Sequence, residues 1–70
     1  MALEGVISLL KAGWKFEYDK GTRFVEANHH KGGRVSILEI HKHRDIDPEI
    51  VGPAIAKFLN DQLIVKTKET

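Results

Sequence analysis

Seventy residues suffice for a single domain with a thin core, because a chain this short buries only about 60% of the surface its unfolded form exposes. Hydrophobic residues at 41% and charged residues at 30% exclude a disordered or membrane-spanning chain, and the lack of cysteine excludes disulfides, thiolate nucleophiles and cysteine metal sites. Eleven Lys and Arg against ten Asp and Glu leave a formal charge of +1, so any attraction to nucleic acid has to come from local clusters.

Leu3, Val6, Ile7 and Leu10 recur with the helix period while Glu4, Ser8 and Lys11 take the other face, which predicts a helix over residues 2 to 12 ending at Gly13. Trp14, Phe16 and Tyr18 then alternate with Lys15, Glu17 and Asp19, the period of a strand with one buried face. Asp19-Lys20-Gly21 is a tight-turn signal, and a second strand is expected over Thr22 to Ala27. The polar stretch from Asn28 to Gly33 ends in two glycines and reads as a second hairpin loop.

Arg34 to Ile40 is rich in β-branched residues and is predicted to be the central strand. Strict alternation sets Val35 and Ile37 on one face and Leu38 and Ile40 on the other, which implies burial on both sides. One side would meet the protein's own core. The other, turned away from the helices, would meet a partner, most simply a second copy of the chain.

The charged run His41 to Asp45 ends that strand. Asp47-Pro48 has the form of a helix cap, but Gly52-Pro53 would then lie inside the helix, where proline costs about 3 kcal/mol. A turn over Asp47 to Val51 and a helix from Pro53 to near Asn60, with Ile55, Phe58 and Leu59 inward, is therefore expected. Leu63 to Val65 is a candidate short edge strand, followed by a charged tail, Lys66 to Thr70, that should fray. The expected fold class is α+β over residues 1–70, in the order α-β-β-β-α(-β): a two-layer sandwich with a three-stranded antiparallel meander on two helices. No apolar run approaches the eighteen or so residues of a membrane helix and the N-terminus lacks a signal-peptide pattern, so a cytoplasmic location is expected.

Lys20, Arg23, Lys31 and Arg34 come from the two hairpin regions and are the candidate phosphate contacts; Lys42 and Arg44 add charge at the strand end. Interleaved Glu17, Asp19, Glu26 and Asp45 favour a mixed, solvated surface. Trp14 and Phe24 are candidates to stack bases, although core packing is the commoner use of such residues. His41 and His43, with His29 and His30, invite a zinc reading, but without cysteine or a defined third ligand the solvated strand end is preferred and no metal or cofactor is assigned. The triplet His43-Arg44-Asp45 matches a kinase catalytic loop only in its first letters, since position 50 is Ile50 and not asparagine. Ser8 and Ser36 have no base and carboxylate around them in sequence that would mark a nucleophile.

The order of elements resembles the HicA toxin family, small messenger-RNA interferases with a helix, three strands and a helix, related in fold to double-stranded-RNA-binding domains. Leu9-Leu10-Lys11-Ala12-Gly13-Trp14 is similar to that family's exit from the first helix, and Lys20-Gly21-Thr22-Arg23 to its lysine-glycine-serine-histidine turn. Val35 to His41 resembles its third strand ending in a histidine, and Gly52-Pro53-Ala54-Ile55 its glycine-led entry to the last helix. The family's catalytic histidine falls at Arg23, and a guanidinium has no lone pair with which to act as general base. The resemblance thus implies a non-catalytic HicA-like domain that contacts RNA or an antitoxin-like protein. The alternatives are an interaction module that forms a homodimer through its open sheet face, and an active interferase using His29, His30 or His41.

Overall fold

A computed structural model describes the backbone of residues 3–69 and the side chains of residues 3–64. Helix α1 (Leu3–Lys11) buries Val6 and Leu10, the inward positions of its apolar stripe. Gly13, at φ 98°, takes the left-handed conformation that ends the helix and swings the chain into β1 (Trp14–Asp19). Strands β2 (Phe24–His29) and β3 (Arg34–Glu39) complete an antiparallel meander in the order β1-β2-β3. Helix α2 (Pro48–Glu69) packs on β1 and β2 and against α1, so two helices and one sheet form the two expected layers. Among the described residues no helix is long and apolar enough to cross a membrane.

Four expectations are corrected. The central strand is β2, not Arg34 to Ile40: Val25, Glu26 and Ala27 are all buried, while β3 is an edge strand with only Ile37 half-buried. The cause is coverage, since both helices lie over β1 or β2 and neither lies over β3. Ile40, just past the strand end, is the buried residue of that stretch; its N–H donates to the Arg23 carbonyl at 2.8 Å.

Second, strict alternation fails in β3. Val25 pairs with Leu38 but Glu26 pairs with Ser36, so Ile37 is an extra, bulged residue. Leu38 and Val35, opposite Val25 and Ala27, therefore share the helix-facing side. The outer face carries Lys15, Glu17, Glu26, Asn28, Arg34, Ser36 and Glu39, with Phe24 half-buried among them, and is polar where an apolar patch was expected.

Third, α2 begins at Pro48. Asp47 Oδ1 accepts from the Glu49 N–H at 3.0 Å and the Asp47 carbonyl accepts from Val51 N–H at 2.9 Å, a complete N-cap with proline at the first helical position. Gly52 and Pro53 lie inside the helix because Gly52 is a packing notch: a Cβ there would overlap the Tyr18 ring at Cγ, Cδ1 and Cε1. Fourth, Leu63 to Val65 is helix and not strand, and Lys66 to Glu69 continue it; Thr70 lies outside the described residues. Gly52, Ala56, Leu59 and Leu63 form the stripe α2 turns to the core, with Lys57 and Asp61 paired at 3.1 Å on the exposed side.

The outer edge of β1 is sealed by a side chain. Asn60 Oδ1 accepts from the Phe16 N–H at 2.7 Å, and its Nδ2 donates to the Phe16 carbonyl at 2.9 Å, so one amide takes the place of a neighbouring strand at the point where α2 runs alongside.

Candidate nucleic-acid interface

The β1–β2 turn is held from within. Asp19 Oδ1 accepts from Gly21 N–H at 2.8 Å, and the Asp19 carbonyl accepts from Arg23 N–H at 2.7 Å. Closing that loop forces Arg23 to φ 64°, the left-handed region that costs a residue with a side chain about 1–2 kcal/mol. The bond from Ile40 N–H to the Arg23 carbonyl then brings the segment after β3 beside the turn, and Pro48 anchors the start of α2 next to both.

Tyr18, Lys20, Arg23, Lys42, Asp47, Pro48 and Glu49 together line a concave notch of about 180 Å³. Its charge is mixed. Of its two carboxylates, Asp47 is engaged as the helix cap, and Glu49 lies 4.0 Å from Lys20 Nζ in an exposed pair that is worth little to stability.

The four predicted phosphate contacts do not form one cluster. Lys20 and Arg23 occupy the β1–β2 turn; Lys31, in the β2–β3 turn, and Arg34, at the start of β3, lie at the opposite end of six-residue strands, about 20 Å away at 3.3 Å per residue. Arg34 is moreover engaged, its Nε donating to Asn28 Oδ1 at 3.2 Å and lying 3.7 Å from Glu26 Oε1. Of Lys42 and Arg44, which the sequence offered as strand-end cations able to join such a cluster, Lys42 lines the notch with Lys20 and Arg23. The link is Ile40, buried just past β3 and bonded to the Arg23 carbonyl, which carries Lys42 back to the turn.

The histidines are dispersed. His29 Nε2 lies 2.8 Å from the Ala12 carbonyl and its Nδ1 accepts from Lys31 N–H at 3.1 Å. Both ring nitrogens thus face backbone partners. His29 also meets Trp14 edge-on at 5.2 Å and stacks on His30 at 4.4 Å, so it ties the exit of α1 to the β2–β3 turn. Trp14 is likewise occupied, its ring close to Gly33. His41 lies at the other end of the sheet, 3.6 Å from Glu39 Oε1 and well exposed. Among the described residues, no three His, Cys, Asp or Glu side chains gather as a metal set.

Compared with protein-family models, with curated proteins and with solved structures, the chain finds no match.

Proposed function

We propose that the protein is a non-catalytic, HicA-like domain that contacts duplex RNA through the end of the sheet bearing the β1–β2 turn, with Lys20, Arg23 and Lys42 on phosphates. The observation that carries this reading is the convergence of those three cations, from separate segments, on one notch beside the start of α2. A narrow cationic turn suits A-form RNA, which is recognised mainly by shape and by contacts to phosphates and 2′-hydroxyls across the minor groove. Catalysis is left out of the proposal because Arg23 stands where the family it resembles has its histidine and His29 has both nitrogens engaged. Lys31 and Arg34 are left out of the primary contact by their distance from it.

Fluorescence anisotropy with a labelled RNA duplex and a single strand of equal length tests the reading. Three phosphate contacts give a log-log salt slope of about −2 to −3, and removing two of them in Lys20→Ala/Arg23→Gly should bring it to about −1. Arg23→Gly also releases the left-handed strain, so this variant should lose affinity while remaining at least as stable as the parent, which separates contact from folding. Unchanged binding in the double variant, or an equal loss in Lys31→Ala/Arg34→Ala, would refute the assignment.

A further inference from the structure

We propose that β3 is a self-pairing edge: two copies of the chain join antiparallel through it, forming one continuous six-stranded sheet. The two edges of the sheet are treated differently. Asn60 closes β1 by satisfying both backbone groups of Phe16, whereas β3 ends the sheet with no helix over it. β3 carries no lysine or proline; of the devices that commonly guard an exposed edge it has the bulge at Ile37 and the charges Arg34 and Glu39 near its ends.

Its helix-facing side chains are unfinished as well. Val35 is 49% exposed and Leu38 46%, although their partners across the strand, Ala27 and Val25, are 1% and 0% exposed. The core continues sideways into β3, where Ile37 packs against it half-buried, and leaves Val35 and Leu38 without a cover.

What identifies the occupant as a second copy is the order of residues. With a two-fold axis normal to the sheet between Ser36 and Ile37, Arg34 of one chain lies opposite Glu39 of the other, and Val35 lies opposite Leu38, each pair occurring twice. The faces agree: Arg34 and Glu39 pair with outward-facing Asn28 and Phe24, whereas Val35 and Leu38 pair with inward-facing residues. The bulge creates this match, since residues three apart share a face only because Ile37 is extra. Registers centred on Val35 or on Leu38 also keep the faces, but they oppose the other apolar residue to Gly32 or His41 and separate Arg34 from Glu39. Both helix layers then lie on the same side, with the four apolar side chains between them. Arg34 already touches Glu26 and Asn28, but a guanidinium has five donors and has capacity for a second carboxylate.

The chain has no cysteine, which makes the register testable by cross-linking. In Val35→Cys/Leu38→Cys, oxidation should give covalent dimers, because residues 35 and 38 of opposite copies face one another while within one strand they stand too far apart to bond. Val35→Cys alone should give no covalent dimer. Both sites are about half exposed, so circular dichroism should match the parent. By sedimentation equilibrium the parent should dimerise at micromolar concentration, and Glu39→Lys, which sets a cation against Arg34 of the second copy, should weaken dimerisation about tenfold. A parent that stays monomeric into the millimolar range, as it would if a different protein's strand were the natural occupant, overturns the proposal. Cross-linking of Val35→Cys as efficient as that of the double variant overturns the register.

Discussion

Gly52→Ala sets two well-characterised effects against each other. Glycine inside a helix is about 1 kcal/mol less favourable than alanine, so propensity alone predicts that the substitution stabilises α2. The added methyl, however, would enter the Tyr18 ring, and Cγ is among the overlapped atoms. Cγ lies at the root of the side chain, so a small swing of the ring tip gives no relief: either Tyr18 changes rotamer or α2 lifts from β1. Overpacking of this kind costs about 3 kcal/mol at the upper end of the usual range. Subtracting the propensity gain leaves a net destabilisation of about 2 kcal/mol, or a fall in melting temperature of about 8–16 °C for a domain of this size. Urea and thermal unfolding followed by circular dichroism measure it. The decisive comparison is a double-mutant cycle with Tyr18→Ala, in which Gly52→Ala should become stabilising by about 1 kcal/mol because only propensity remains. If Gly52→Ala raises the melting temperature in the parent background, the notch is not a packing requirement and the reasoning fails.

Two further substitutions probe the same helix. Asn60→Ala removes the amide that satisfies Phe16 N–H and C=O and should cost about 2 kcal/mol, with faster hydrogen exchange at the Phe16 amide as the local readout. Pro53→Ala restores a donor for the Glu49 carbonyl in an exposed position; about 3 kcal/mol of helix preference, less about 1 kcal/mol for the freer unfolded chain, should leave the variant about 2 kcal/mol more stable in urea.

The element order was legible because α1 and β1 carry their own periods, Val6 and Leu10 in the helix and Trp14, Phe16 and Tyr18 in the strand, and glycines mark the turns. Helix α2 was misread for two physical reasons. Its inward stripe contains Gly52 and Ala56, whose small side chains fit a close helix–sheet contact but carry little hydrophobic signal. Gly52-Pro53 also has the composition of a break, although the tertiary contact to Tyr18 overrides local preference. β3 was misplaced because Val, Ile and Leu speak for burial in general and not for which strand the helices cover, and a bulge leaves no mark in a run of apolar residues. As for the basic cluster, the turn identified Lys20 and Arg23, but Lys42 joins them through a long-range contact at Ile40 that no local pattern encodes.

The seal on β1 has a consequence for assembly size. Growth by strand addition needs two sticky ends per unit, as a chain polymer needs difunctional monomers. If β3 pairs with a second copy as proposed, Asn60 on Phe16 and α2 alongside β1 obstruct addition at the other edge, so that association would stop at a discrete pair. On that proposal, the contact of α2 with β1, Asn60 included, is what would separate a closed pair from an open-ended fibre.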